Sequence, residues 1–140
     1  MPHYFAFGAN MAVAPMAQRC PNSRALGVAR LPRHRLFITA DGYASVARDA
    51  RAHVQGVLWD LALADVATLD RFEGVDRGLY SKAFAPVIVG KGRSIKAMIY
   101  IGAATTPGAP RAGYVEAILA AAQEWNLPPA YCATLAALGG

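Results

Sequence analysis

The chain has 140 residues, of which 55% are hydrophobic, and it carries a net charge of +5. This length is close to the commonest size of a single domain, and the apolar content is enough for one core. We therefore expect one domain over residues 1–140, since the sequence shows no repeat, low-complexity tract or long linker.

The basic charge balance favours acidic partners, and a small anionic metabolite satisfies it as well as a nucleic acid does. The 14 Lys and Arg residues are scattered, and the densest cluster, at residues 30–35, has no aromatic side chains between its charges. Nucleic acid is therefore disfavoured as a partner. No stretch approaches the roughly 18 apolar residues of a membrane span, and no signal peptide is visible, so we expect a cytoplasmic protein without a membrane partner.

Five short apolar runs are predicted to be strands, because each is bounded by Gly, Pro or charged residues. The segment Gly90-Lys91-Gly92-Arg93 has the glycine content of a tight hairpin, which makes the last two strands antiparallel neighbours. In chain order the predicted strands are residues 4–7, 36–39, 54–59, 84–89 and 95–101.

Three helices are predicted, mostly after the strands. Residues 62–71 carry apolar side chains at helical spacing, with Gly74 where a helix commonly ends. Residues 110–125 show an apolar stripe, and residues 131–138 follow Pro129, which favours a helix start. This order indicates an α+β fold rather than a doubly wound parallel sheet.

Residues 4–11, YFAFGANM, have the pattern of an apolar strand that runs into a Gly-x-Asn turn. Gly8 lets the backbone turn sharply and lets a ligand approach, while Asn10 can hold the turn by bonding to neighbouring backbone. The loop at residues 7–10 would then offer successive N–H donors to a carboxylate or an oxyanion. An ordinary strand-to-helix turn is the alternative. The loop is not a dinucleotide or P-loop fingerprint, because the later glycines and the Lys are absent.

Glu73, within the segment LDRFEGV at residues 69–75, is the candidate proton carrier. It lies at the predicted C-terminal end of a helix, where the macrodipole disfavours a negative charge, and Phe72 and Val75 beside it are apolar. Desolvation and the helix end should both raise the pKa of this carboxyl group towards the range useful for a general base or acid. The alternative is a solvated Glu beside a helix cap.

Other groups give weaker signals. His3, His34 and His53 are dispersed and have no metal-ligand spacing. Cys20 and Cys132 are also far apart, without a C-x-x-C pattern, and are expected to be reduced thiols. The sequence therefore favours neither a metal site nor a Cys-His or Ser-His-Asp catalytic set.

The neighbours of the candidate glutamate divide into charged and aromatic residues. Asp70, Asp76 and Arg77 are expected to make surface pairs. Tyr80 and Tyr114 could present hydroxyl groups to a ligand, and they could equally be core aromatics.

Residues 4–11 resemble the Tyr-Gly-Ser-Asn loop that opens the gamma-glutamylcyclotransferase family, which is related to the avirulence-induced AIG2-like proteins. Residues 69–75, followed by residues 78–80, resemble the second motif of that family, which carries its catalytic glutamate. Further matches follow in order over nearly the whole chain, at residues 29–31, 35–36, 56–59, 107–110, 114, 126–128 and 131.

The resemblance implies a small mixed β-barrel with flanking helices, and a cavity closed by the Gly8 loop and Glu73. The reaction it implies is attack by the α-amine of a γ-glutamyl amide on its own γ-carbonyl, which releases 5-oxoproline and needs no cofactor or metal. Glu73 is implied as the general base and acid, and the partner is a small acidic γ-glutamyl substrate. The implied substrate-binding residues are Tyr4, Phe5, Ala6, Phe7, Gly8, Ala9, Asn10, Tyr80 and Tyr114.

The sequence departs from the family pattern beside both motifs. Phe7 stands where Tyr is usual and Ala9 where Ser is usual, so two hydroxyl groups are missing, and Phe72 predicts a more apolar wall beside the carboxylate. Residues 40–53 are a candidate lining for the entrance. Substrates could be γ-glutamyl amino acids or γ-glutamyl amines. The alternatives to an enzyme are a non-catalytic γ-glutamyl-type ligand-binding protein and a basic interaction protein acting through residues 30–35.

Overall fold

Five strands form a closed barrel in the computed structural model, which describes residues 2–139. Met1 and Gly140, the ends of the predicted domain, lie outside the described residues. The strands follow one another around the barrel in the order first, third, second, fourth, fifth. In chain order they are β1 (His3–Ala6), β2 (Arg24–Ile38), β3 (Ala44–Asp60), β4 (Tyr80–Val89) and β5 (Arg93–Gly102).

The barrel is mixed because one of its strand pairs is parallel. β1 pairs with β3 in antiparallel register, with Phe5 opposite Leu58, and it closes the ring through a parallel contact of Tyr4 with Met98 of β5. The other pairs are antiparallel, including β4 with β5 on either side of the predicted glycine hairpin. The predicted α+β class and mixed barrel are confirmed.

Four helices flank the barrel, and a short 3-10 turn follows β1 and another follows the second helix. The predictions of helices at residues 62–71, 110–125 and 131–138 are confirmed, although the second of these begins only at Tyr114. The first helix was not predicted, because its seven residues bury only Met16 and show no periodicity. No helix within residues 2–139 has the length and apolar character to cross a membrane. The helices are α1 (Val13–Arg19), α2 (Leu63–Glu73), α3 (Tyr114–Glu124) and α4 (Pro129–Ala137).

β2 and β3 are far longer than the predicted strands at residues 36–39 and 54–59, and those boundaries are wrong. The unpredicted part of β2 alternates exposed and less exposed positions, and Leu26 and Val28 in its apolar segment at residues 25–29 are exposed. A strand of this kind shows itself only by its pairing with a partner. The two strands pair along nearly their whole length, with register shifts between Ala25 and Gly27 and between Pro32 and His34.

Gly56 in β3 allows β1 to approach closely. A Cβ atom placed on this glycine would clash with the carbonyl oxygen of Ala6 and would lie 2.9 Å from the ring of Phe5, which is fully buried. Only a residue without a side chain fits between these groups. The close packing matters for the site because β1 leads directly into the Gly8 loop.

Replacing Gly56 with Ala should lower the free energy of unfolding by about 1–3 kcal/mol, because the added methyl group forces β1 and β3 apart. Urea unfolding followed by circular dichroism measures the change. Gly139→Ala is the matched control, since a Cβ there makes only ordinary contacts of 3.6 Å. Equal stability of the two variants would contradict the close-packing role.

Candidate active site

The loop after β1 begins at Gly8 and continues as a 3-10 turn over Ala9–Met11. The N–H of Met11 donates to the carbonyl oxygen of Gly8 at 3.0 Å, which closes the turn. A Cβ atom on Gly8 would lie 3.0 Å from the hydroxyl oxygen of Tyr114. The missing side chain therefore lets the first residue of α3 come against the loop backbone.

Glu73 is the last residue of α2, and Gly74 ends the helix in a left-handed conformation with φ of 72°. The N–H of Gly74 donates to the carbonyl oxygens of Arg71 and Asp70, as is common at helix ends. A second 3-10 turn, Val75–Arg77, follows at once and leads towards β4. The carboxylate is thus held at the negative end of the helix dipole.

One cavity of about 320 Å³ brings the loop and Glu73 together. It lies where β1, the end of α2 and the start of α3 meet. Every predicted site residue lines it except Ala6, which is buried with its carbonyl oxygen against the position of Gly56. The lining residues are Tyr4, Phe5, Phe7, Gly8, Ala9, Asn10, Tyr43, Ala44, Phe72, Glu73, Arg77, Leu79, Tyr80, Tyr100 and Tyr114.

The buried side chain of Asn10 connects the loop to the carboxylate. Its Nδ2 donates to Glu73 Oε1 at 3.2 Å and to the hydroxyl oxygen of Tyr4 at 3.1 Å. Its Oδ1 accepts a hydrogen bond of 2.6 Å from Nη1 of Arg19. Asn10 therefore bonds to a catalytic candidate, in addition to any role in holding the turn.

Two tyrosines and the backbone of Ala44 form the opposite wall. The hydroxyl of Tyr80 donates to the carbonyl oxygen of Ala44 at 2.6 Å, and the N–H of Ala44 donates to the hydroxyl oxygen of Tyr114 at 3.1 Å. The ring of Tyr43 packs edge-on against that of Tyr114, with 5.4 Å between centroids. Because Tyr114 accepts from the backbone, its own O–H can donate into the cavity.

Burial raises the pKa of Glu73 to about 7, and the nearby Arg19 guanidinium acts in the opposite direction. Burial also raises the pKa of Tyr114, to about 12, and raises those of Tyr80 and Tyr100 above their ordinary values. The phenols therefore stay neutral at physiological pH, while Glu73 can both accept and return a proton there.

Comparison with known proteins identifies the family of this chain. A family model described as the AIG2-like family matches residues 53–135, which is more than half of the chain. The chain belongs to the AIG2-like family. The matched region contains Glu73, Tyr80 and Tyr114, and the Gly8 loop precedes it.

Curated and solved relatives match nearly the whole of this AIG2-like chain. Gamma-glutamylcyclotransferase of Homo sapiens is 27% identical over 145 residues, covering 96% of this chain and 77% of that protein. The protein of the same name from Bos taurus is 28% identical over 138 residues, covering 91% and 73%. A solved structure named gamma-glutamyl cyclotransferase matches with a TM-score of 0.90 and 26% identity, over 97% of this chain and 86% of that chain. The family resemblance predicted from the two motifs is confirmed.

The sequence predicted no site role for Leu79, Tyr100 or Arg77 of this AIG2-like site, and its candidate lining at residues 40–53 is only partly correct. Of residues 40–53, only Tyr43 and Ala44 line the cavity. Arg77, expected in a surface pair, lines the cavity, and no carboxylate of residues 2–139 lies within ion-pair distance of it. Asp70 does form a surface pair, at 2.9 Å from Lys82. Arg77 follows Glu73 by only four residues, but the sequence does not show which way its side chain points after the turn at Gly74.

The raised pKa of Glu73 makes a prediction about stability. An acid whose pKa is raised from 4.5 to about 7 on folding stabilises the folded state at low pH, and that contribution is lost as the pH rises through 7. Glu73→Gln removes the buried charge, so at pH 8 it should raise the free energy of unfolding by about 2 kcal/mol relative to the parent protein. Near pH 4 the two proteins should be nearly equal. Urea unfolding at both pH values measures this, and an equal difference at both would contradict the buried charge.

Proposed function

We propose that the protein is a cyclotransferase that releases 5-oxoproline from a γ-glutamyl amide, with Glu73 as general base and then general acid. The observation that carries this proposal is the half-buried carboxyl group, with its pKa near 7, facing the Gly8 loop across one cavity. The relatives named gamma-glutamylcyclotransferase support the same reaction class.

In the proposed reaction, the carboxylate of Glu73 removes a proton from the substrate's α-ammonium group. The free amine attacks the γ-carbonyl carbon of the same molecule, a new C–N bond closes the five-membered ring, and the γ-amide C–N bond breaks. Glu73 returns its proton to the departing nitrogen, and the ring nitrogen gives up its second proton through solvent to the released amine as the neutral lactam forms. Because nucleophile and carbonyl belong to one molecule, the protein mainly has to hold the folded-back conformer and move the proton.

The remaining groups of the cavity have roles that follow from their free donors and acceptors. Glu73 Oε1 is occupied by Asn10, which leaves Oε2 for the substrate ammonium. Gly8 has no side chain and Ala9 only a methyl group, so a ligand can approach their backbone closely. Their backbone polar groups can therefore bind the γ-glutamyl unit directly. The hydroxyl oxygen of Tyr114 accepts from the N–H of Ala44, and its O–H can donate to a substrate oxygen.

The size and charge of the cavity suit a small anion. A volume of about 320 Å³ is at the small end of ligand-binding cavities. The aromatic wall supplies packing surface, and Arg77 supplies a positive charge.

We further infer a cytoplasmic location, since Cys20 and Cys132 are both free thiols.

Glu73→Gln should lower the rate of 5-oxoproline formation by about 10²–10⁴-fold, since the amide keeps the shape but cannot take a proton. Mass spectrometry with a panel of γ-glutamyl amino acids and γ-glutamyl amines measures the product. Glu116→Gln, an exposed change on α3, is the matched control and should keep the parental rate. Unchanged turnover in Glu73→Gln would refute the proposed role, and thermal stabilisation by the panel without product would favour a binding protein.

Arg77 should distinguish the two substrate classes. It is exposed at the cavity and has no ion-pair partner within residues 2–139, so it can meet a carboxylate on the leaving group. Arg77→Gln should raise KM about threefold for γ-glutamyl amino acids, in keeping with one exposed charge pair, and should leave KM for γ-glutamyl amines unchanged. Equal effects on both classes would place the leaving group's carboxylate elsewhere.

A further inference from the structure

Arg19, at the end of α1, contacts two neighbours of the candidate base without lining the cavity itself. Its Nη1 donates to Asn10 Oδ1 at 2.6 Å, and its guanidinium carbon lies 3.7 Å from the ring centroid of Phe72. Phe72 immediately precedes Glu73 in the chain. One half-buried cation is therefore held between the loop and the helix that meet at the site.

The chemistry of these groups determines how the Asn10 amide is oriented. A guanidinium group has only donors, so the oxygen of the amide must face Arg19. The amide nitrogen then faces the opposite way, where it donates to Glu73 Oε1 and to the hydroxyl oxygen of Tyr4. If the amide were reversed, two donors would meet at Arg19 and two acceptors would meet at Glu73.

We propose that Arg19 is a positioning residue that, through the Asn10 amide and its stacking on Phe72, fixes one carboxylate oxygen of Glu73 and leaves the other for substrate. This rests on the proposed function, because it assumes that the Glu73 carboxylate takes the proton. Phe72, which departs from the family pattern, acts as a platform for the guanidinium group in addition to forming part of the wall.

Arg19 also supplies the positive charge that favours the ionised carboxylate. Its guanidinium opposes the rise that burial causes in the pKa of Glu73. The tyrosines facing that carboxylate stay neutral at physiological pH, and Arg77 is exposed to solvent, which screens its charge. The titratable groups around Glu73 are Arg19 from α1, Tyr4 from β1, Tyr80 from β4, Tyr100 from β5, Tyr114 from α3 and Arg77 from the second 3-10 turn.

The kinetic test compares Arg19→Met and Arg19→Lys with Arg71→Met, a change at an exposed residue of α2 whose side chain donates to Thr68. Arg19→Met should lower kcat about tenfold to a hundredfold with KM within twofold, because the base is misplaced while substrate contacts remain. The acid limb of the kcat/KM profile should move to higher pH by about one pH unit. Arg19→Lys should return the limb towards its parental position but leave kcat reduced, since an ammonium group lacks the planar fork.

A second measurement needs no turnover. The sequence contains three glutamates, at positions 73, 116 and 124, so the side-chain carbons of Glu73 can be followed by NMR during a pH titration. Arg19→Met should raise the pKa of Glu73, and Arg71→Met should not. Should Arg19→Met fail to fold, the pKa of Glu73 in Phe72→Leu and Phe72→Tyr tests the proposal, because only the tyrosine keeps a ring under the guanidinium group. The pKa should rise in Phe72→Leu and stay at the parental value in Phe72→Tyr, and an unchanged pKa in Phe72→Leu would overturn the proposal.

The outcomes separate this proposal from the proposed function. Turnover that survives in Glu73→Gln refutes the function itself. If Glu73→Gln is inactive while Arg19→Met keeps the parental kcat and pKa, only the positioning role is refuted. Full recovery of kcat in Arg19→Lys would also overturn it, since the residue would then act as a point charge.

Discussion

A carboxylate removed from water is the group on which the candidate site depends. Glu73 ends a helix at its negative pole and is surrounded by aromatic side chains, and both conditions disfavour its charge. The protein compensates only partly, with one hydrogen bond from Asn10 and a guanidinium group that does not touch the carboxylate. The incomplete compensation keeps the pKa near neutrality, where a proton can be taken and returned. A direct ion pair would have held the group ionised and made it a poorer acid.

The barrel supplies the rigidity that such a site needs. β1 is only four residues long, yet it pairs with β3 on one side and β5 on the other, and Gly56 lets it seat closely. The Gly8 loop is thereby held at the end of a buried strand. The loop also meets α3 at Tyr114, so three separate parts of the chain fix the position of one short turn. A precise arrangement of donors requires this kind of support, because a loop on its own would be mobile.

The surroundings of Ala9 and Phe72 show what these two residues change in the site. Ala9 removes a hydroxyl group from the loop but leaves the backbone of the turn intact. The ring of Phe72 lies against the guanidinium group of Arg19. Phe72 is 45% exposed, and the guanidinium group stacked on its ring covers part of the apolar surface. These residues therefore alter the surroundings of the Glu73 carboxylate, which lies at the end of α2.

Local patterns in the sequence determined the elements whose signals are local. The apolar runs of β4 and β5, the glycine hairpin between them and the left-handed Gly74 at the end of α2 all follow from residue type and spacing. Glu73 and the Gly8 loop could also be predicted as candidate site residues, since a turn and a helix end are short-range features. The length of β2 and β3 could not be predicted, because alternating exposed strands are stabilised by pairing with partners that are distant in the chain. Only the tertiary structure decided that Arg19 supports the site and that Tyr43, within the candidate lining at residues 40–53, faces the cavity. Their roles depend on which segments the closed barrel brings together. That long-range geometry cannot be predicted from the residues that neighbour them in sequence.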